Sequence, residues 1–190
     1  CWLGLDMSSV TDLTALVMCE KAGQTYRLWP WFWVPEERAA ELRKWVGIEA
    51  WIKNEQIIVC PGPRIIKSMI ADKICELVES HDVRNLAYDP KEATAIVADV
   101  EERTSLEVTA FKQSHENYHE PTDNFEADAR AGTLQHNGNQ VLDWQARHAL
   151  CMPTTSNAYK KAVKPDPVGS PHKTIDGVQA AIMAYCGAYH

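Results

Sequence analysis

Residues 4–9, Gly4-Leu5-Asp6-Met7-Ser8-Ser9, place one carboxylate inside an apolar run. Acidic residues are depleted in β-strands, and a buried charge needs a partner or a metal ion. Two more aspartates share this kind of setting, because Asp89 ends the apolar run 86–88 and Asp176 starts an apolar stretch. No Lys or Arg neighbours Asp6 or Asp89 in a way that suggests an ion pair. The three aspartates therefore predict a divalent-metal site and, with it, phosphoryl-transfer chemistry.

The order of apolar patterns predicts an α/β fold. Three strands, within 2–9, 13–20 and 25–34, form an antiparallel meander. Strands and helices then alternate. Further strands are predicted at 56–60, 85–89 and 106–111. Helices are predicted from 35 and at 48–54, 64–81, 93–103, 123–131 and 141–150, followed by a loop at 163–173 and a closing helix. This order predicts a mixed sheet, an antiparallel meander followed by parallel strands, flanked by helices on both faces.

That fold places each aspartate near one edge of the sheet. Asp6 lies on the first strand, Asp89 at the carboxyl end of a parallel strand, and Asp176 in the first turn of the closing helix. Sites in open sheets gather at such carboxyl ends. Gly177 and Ala180 are small enough for the closing helix to pack closely and deliver Asp176.

Composition narrows the class of protein. The chain has 190 residues, enough for one domain with a full core, and a net charge of −7, which argues against holding nucleic acid by bulk electrostatics alone. No apolar run approaches the length of about 18 residues that a membrane helix needs. The six cysteines are scattered singly, which is typical of a reducing cytoplasm. The apolar start without Met is not a signal peptide, and we expect an upstream domain that this chain lacks.

Three other patterns admit a functional and a structural interpretation. The segment His115-Glu116-Asn117-Tyr118-His119 matches HExxH, but Pro121 follows closely, so we predict a solvated loop rather than a zinc helix. The tryptophans Trp29, Trp31 and Trp33 share one strand face and favour packing over base stacking. The basic residues Lys160, Lys161 and Lys164 are either a solvated surface or phosphate contacts. Asp12 is expected in a turn, with a place near the metals left open.

The ordered set of motifs resembles the nuclease domain of the large terminase subunit of tailed bacteriophages and prophages, which has a ribonuclease H-like fold. The similarity covers nearly the whole chain, and its motifs are Gly4-Leu5-Asp6-Met7-Ser8-Ser9, Phe32-Trp33-Val34-Pro35-Glu36, Tyr88-Asp89-Pro90, Glu120-Pro121-Thr122 and Lys173-Thr174-Ile175-Asp176-Gly177. One departure stands at position 148, where the resemblance leads us to expect Asn and the chain has His148.

The resemblance implies a single C-terminal nuclease domain over 1–190, whose catalytic and metal-binding residues are Asp6, Asp89 and Asp176. It implies two Mg²⁺ or Mn²⁺ ions as cofactors and cleavage of concatemeric viral DNA in the host bacterial cytoplasm. The implied partners are double-stranded DNA, an ATPase domain upstream in the same polypeptide, the portal and the small terminase subunit, with no membrane. The phosphate-loop pattern GxxxxGK[ST] does not occur, so this chain is not expected to hydrolyse ATP.

Two alternatives remain open from the sequence. The chain could be another ribonuclease H-like nuclease, such as a junction resolvase, although we expect those to be more basic. It could also be an inactive DNA-clamp or portal-docking module. Metal-dependent nicking of plasmid DNA separates the enzymes from the inactive module, and a preference for branched over plain duplex DNA separates the two enzymes.

Overall fold

The computed structural model describes residues 1–7, 13–154, 159–165 and 172–190. The turn predicted at 8–12, which includes Asp12, and much of the loop predicted at 163–173 lie outside these described residues. Within them, no helix combines the length and the hydropathy needed to cross a bilayer.

The first three strands form the predicted antiparallel meander. They are β1 (Trp2–Asp6), β2 (Thr14–Ala22) and β3 (Thr25–Pro35). The strand β3 runs through Pro30, which pairs with Val17 of β2. A proline lacks a backbone N–H, and sheets tolerate it best where a strand has a free edge. The parallel strands beside β3 pair with its residues 26–28 and 33–35, and Pro30 lies between those two pairings.

Parallel strands extend the sheet on both sides of the meander. They are β4 (Ile58–Cys60), β5 (Asn85–Tyr88), β6 (Glu107–Ala110) and β7 (Leu134–His136). The strand order is β4-β3-β2-β1-β5-β6, with β7 also pairing β3. The central pair β1–β5 is parallel, which confirms the predicted mixed sheet. The short strand β7 was not predicted.

Helices cover both faces of the sheet. They are α1 (Glu36–Leu42), α2 (Ile48–Lys53), α3 (Lys67–Ser80), α4 (Pro90–Arg103), α5 (His115–Ala131), α6 (Gln140–His148) and α7 (Asp176–Tyr189). The helices α3 and α4 pack on the face that carries Leu3 and Leu5. The helices α5, α6 and α7 pack on the opposite face, against Ala15 and Val17.

The closing helix lies unusually close to the first strand. A Cβ on Gly4 would stand 2.0 Å from the carbonyl oxygen of Ala180 and 2.7 Å from the backbone nitrogen of Ala184. Real Cβ atoms do not approach backbone atoms so closely, and only glycine fits here. The predicted close packing of this helix is confirmed, with Gly4 as the residue that permits it on the strand side.

Three predicted helix starts were wrong, and one hairpin was missed. The helix α3 begins at Lys67 rather than 64. The helix α4 begins at Pro90 rather than 93, because Asp89 caps it and proline suits the first helical position. The helix α5 begins at His115 rather than 123. The strands β8 (Leu150–Pro153) and β9 (Lys160–Val163) form a separate antiparallel hairpin.

Candidate active site

Two of the three predicted aspartates lie at the ends of neighbouring parallel strands. Asp6 is the last residue of β1 and is only 7% exposed. Leu5 of β1 pairs with Tyr88 of β5, and the next backbone N–H, that of Asp89, donates to the Leu5 carbonyl at 3.2 Å. Asp6 and Asp89 therefore occupy the same register position at the carboxyl end of the β1–β5 pair.

Asp89 also has a structural role. Its Oδ1 accepts a hydrogen bond from the backbone N–H of Lys91 at 3.0 Å, which makes Asp89 the N-cap of α4. A carboxylate has two oxygens with several lone pairs, so one capping bond leaves acceptor capacity for a cation. The capping role of Asp89 and its candidate role as a metal ligand are thus compatible.

Asp176 lies in the first turn of α7, as predicted, and is 8% exposed. The backbone around it is held by Gln145, a fully buried residue of α6. The Oε1 of Gln145 accepts from the N–H of Gly177 at 2.7 Å, and its Nε2 donates to Oγ1 of Thr174 at 2.8 Å. A Cβ on Gly177 would meet this same Oε1 at 2.6 Å. The side chain of Gln145 therefore holds the start of α7 from another helix.

His148 adds a second contact from α6 to the same segment. Its Nε2 donates to the carbonyl oxygen of Thr174 at 2.7 Å. Burial lowers the pKa of His148, and its bond to Thr174 raises that pKa by less. The departure noted at position 148 thus still supports the segment that precedes Asp176.

Sequence reasoning missed Gln145, although the sequence contained a signal for it. Val141, Leu142 and Gln145 occupy one buried face of α6 at helical spacing. A polar side chain on such a face must form hydrogen bonds, so it indicates a partner in the core. The partners themselves, 29 and 32 residues away, could not be read from the spacing.

Asp6 and Asp176 line one open cavity of about 270 Å³. Residues at the end of the β8–β9 hairpin and at the start of α7 also line the cavity. These other lining residues are Lys161, Val163, Lys164, Ile175 and Gln179. Asp89 lies beside Asp6 at the edge of this region without lining the cavity. Over the described ranges, no three His, Cys, Asp or Glu residues form a group that could hold a metal ion.

The basic residues 160, 161 and 164 divide between two environments. Lys160 forms ion pairs with Asp123 and Glu126 of α5. Lys161 faces the cavity instead, and its Nζ donates to the main-chain oxygen of Gln113 at 2.9 Å and to its Oε1 at 3.0 Å. Burial lowers the pKa of Lys161, whereas the charges of Asp6 and Asp89 raise it. Lys161 and Asp6 line the same cavity.

The HExxH segment is helical, which corrects the predicted loop. Ser114 caps α5 by accepting from the N–H of Asn117 at 3.3 Å, and Pro121 lies within the helix, beyond its first turn. The predicted loop was wrong because a proline removes only its own N–H, and the residues before it keep a capped turn. The side chain of His119 contacts the hairpin rather than a metal ion, since its Nδ1 accepts a hydrogen bond from the backbone N–H of Lys160 at 3.2 Å.

The tryptophans on β3 pack as predicted rather than forming one exposed platform. Trp33 is 1% exposed in the core, while Trp29 and Trp31 are partly buried against it. Trp45, by contrast, is 60% exposed and stacks on His172 with the two rings 3° from parallel.

Comparison with known proteins agrees with this architecture. The family model described as "Terminase large subunit, endonuclease domain" matches residues 1–189. The large terminase subunit of Enterobacteria phage HK97 is 26% identical over 193 residues, which cover 96% of this chain and 36% of that protein. This chain thus spans little more than a third of that relative.

Solved structures show the same fold. The crystal structure of the HK97 bacteriophage large terminase matches with a TM-score of 0.84 at 24% identity, covering 97% of this chain and 38% of that one. The large terminase nuclease from thermophilic phage G20c with bound magnesium matches with a TM-score of 0.60 at 11% identity, covering 97% and 79%. The predicted ribonuclease H-like fold is confirmed. With the family model covering all but the last residue, this chain belongs to the endonuclease-domain family of large terminase subunits.

Proposed function

We propose that this chain is a Mg²⁺- or Mn²⁺-dependent DNA endonuclease that cuts concatemeric viral DNA during genome packaging. The observation that carries the proposal is the arrangement of the three acids. Asp6 and Asp89 end adjacent parallel strands, and Asp176 shares a cavity with Asp6. Membership of the endonuclease-domain family supports the same chemistry.

The donor chemistry of these residues fits hard divalent cations. Carboxylate oxygens suit Mg²⁺ and Mn²⁺ far better than zinc. Asp6, Asp89 and Asp176 would hold the ions, with Asp6 next to Asp89 in the sheet and on the same cavity as Asp176. A metal pair held there would supply an activated water and offset the charge of the reacting phosphate. The related G20c nuclease has a magnesium-bound crystal structure, which supports this choice of metal.

Burial and hydrogen bonds within the chain would position the three carboxylates to hold those ions. Low exposure of Asp6 and Asp176 keeps the carboxylates in a setting where a bound cation is poorly screened by water. The Gln145 contacts hold the start of α7, so that Asp176 stays on the cavity wall. Asp89 is oriented by its cap on α4.

The proposed substrate is double-stranded DNA, and the proposed place of action is the host bacterial cytoplasm. The HK97 relative is much longer than this chain. We propose that an upstream ATPase domain of the same polypeptide, the portal and the small terminase subunit are the partners in packaging.

Plasmid nicking in Mn²⁺ or Mg²⁺ tests the proposal. We expect the wild-type chain to nick supercoiled plasmid, and Asp6→Asn and Asp176→Asn to reduce the rate about a hundredfold or more. Asp82→Asn is the matched control. Asp82 is an exposed aspartate just before β5, whereas Asp89 directly follows that strand. The Asp82→Asn variant should cut plasmid at the wild-type rate. Unchanged cutting by Asp6→Asn would reject the assignment.

The two roles of Asp89 can be separated in the same assay. Asparagine caps a helix as well as aspartate, so Asp89→Asn should lose cutting and keep its free energy of unfolding. Asp89→Ala should lose cutting and also about 1 kcal/mol of stability. Retained cutting by Asp89→Asn would restrict Asp89 to its structural role.

One rival is favoured by a specific observation, because the described residues do not form a three-member metal group. An inactive DNA-clamp or portal-docking module would be stable, would bind DNA and would not cut it. A crystal soaked in Mn²⁺ separates the two, since the nuclease should give anomalous density between Asp6, Asp89 and Asp176. No density there, together with no nicking, would establish the inactive module.

A further inference from the structure

The hairpin strand β9 presents two neighbouring lysines to opposite sides. Successive residues of a strand point to opposite faces. Lys160 points to α5, where Glu126 at 3.0 Å and Asp123 neutralise it. Lys161 points to the cavity that Asp6 and Asp176 line. The two lysines therefore form a natural pair for comparison, one paired with carboxylates and one facing the candidate site.

The ammonium of Lys161 is held by neutral groups. Its two hydrogen bonds go to the main-chain oxygen and Oε1 of Gln113, and it lies 4.5 Å from the ring centre of Tyr118. These contacts fix the position of the charge without cancelling it. An ammonium has three N–H donors, and Gln113 takes two of them. No described residue takes the third donor of Lys161, which is therefore open to a group that enters the cavity.

We propose that Lys161 binds a phosphate of the DNA strand that enters this cavity, a proposal that rests on the nuclease function above. Carboxylates alone would repel a phosphate, whereas a fixed cation that lines the same cavity offsets that repulsion. Lysine serves phosphates as a compact point charge. Lys161 would thus position the backbone next to the acids and carry no sequence preference, because phosphate contacts position DNA without reading bases.

Equilibrium binding of a short duplex DNA in Ca²⁺, under conditions where cleavage is suppressed, is the first test. Lys161→Ala should weaken binding about tenfold, as expected for the loss of a charged hydrogen bond. Lys161→Gln should weaken it similarly, because its amide can replace the contact to Gln113 without the charge, and Lys161→Arg should restore most of it. Lys160→Ala should bind as the wild type does. Equal binding by all variants, or no binding by the wild type, would overturn the proposal.

Steady-state nicking distinguishes a phosphate contact from an effect on the metals. A phosphate contact predicts a raised KM for DNA in Lys161→Gln, with an unchanged Mn²⁺ concentration for half-maximal rate. If Lys161 acts only on Asp6 and Asp89, its loss should instead lower that Mn²⁺ concentration and leave DNA binding unchanged, which would refute the proposal.

The outcomes for the two proposals are separable. If the wild type binds DNA and Lys161→Gln weakens binding while neither protein nicks, the phosphate contact stands and the nuclease function fails. If both nick and bind alike, the nuclease function stands and the phosphate contact is wrong. Melting temperatures check folding, and Lys160→Ala, which loses two ion pairs, supplies the comparison for a purely structural loss.

Discussion

The strand side and the helix side of the candidate site are positioned by different forces. On the strand side, backbone pairing of β1 with β5 sets Asp6 beside Asp89, whatever their side chains do. On the helix side, Asp176 depends on close packing at Gly4 and on the buried side chain of Gln145. The register of β1 on β5 is set by a row of paired backbone residues, whereas two side chains of α6, Gln145 and His148, hold the segment that leads into α7. The helix side should therefore be the more sensitive to single substitutions.

Gly4→Ala should reduce stability and cutting the most, because it disrupts the close contact between β1 on the strand side and α7 on the helix side. Its Cβ would collide with the backbone of α7, and backbone atoms cannot rotate away. We expect a loss of about 3 kcal/mol in the free energy of unfolding, measured by urea denaturation, together with lost cutting. Gly47→Ala is the control, since a Cβ there meets nothing within 4 Å. Equal stability of the two variants would contradict the close approach of α7 to β1.

Gln145→Leu should affect the helix side alone. It removes the partners of the Gly177 N–H and the Thr174 hydroxyl while keeping an apolar volume in the core. Buried groups left without hydrogen bonds cost about 1–3 kcal/mol, which denaturation should detect. Gln135→Leu, on an exposed residue of β7, is the matched control.

The functional readout of Gln145→Leu sharpens the comparison of the two sides. If the clamp positions Asp176, the Mn²⁺ concentration for half-maximal nicking should rise in the folded variant, while DNA affinity in Ca²⁺ stays unchanged. A variant that is destabilised but nicks with unaltered Mn²⁺ dependence would show that Gln145 serves stability only.

The same division explains what could be predicted from sequence. The apolar run before Asp6 and the strand–helix alternation around Asp89 are local patterns, and they predicted both strands, although β1 ends at Asp6 within the predicted range 2–9. The hairpin β8–β9 has strands of four residues, one ending at Pro153 and the other starting with two lysines. Such segments carry no alternating apolar pattern, so the placement of Lys161 at the cavity could not be inferred.

Helix boundaries failed where two local signals competed. Around residue 115, the Ser114 cap favours a helix start and Pro121 favours a helix end. The cap prevailed, since Pro121 is buried in the fold and loses only one backbone hydrogen bond. The contacts of Gln145 lay beyond any local signal, because they join residues brought together only by packing of α6 on α7.

Mild acidification should change the free energy of unfolding least of all the perturbations. It should act on the helix side, through His148. The pKa of His148 is lowered by burial in the folded chain, so folding favours the neutral ring. The stabilisation is present above the unfolded pKa of about 6.5 and is lost as the pH falls through the lower folded value. His148→Asn keeps a donor for the Thr174 carbonyl and removes the titration, so its stability should fall less between neutral and mildly acidic pH. His136→Asn, on an exposed residue of β7, should keep the wild-type pH profile, and identical profiles for all three proteins would exclude His148 as the source.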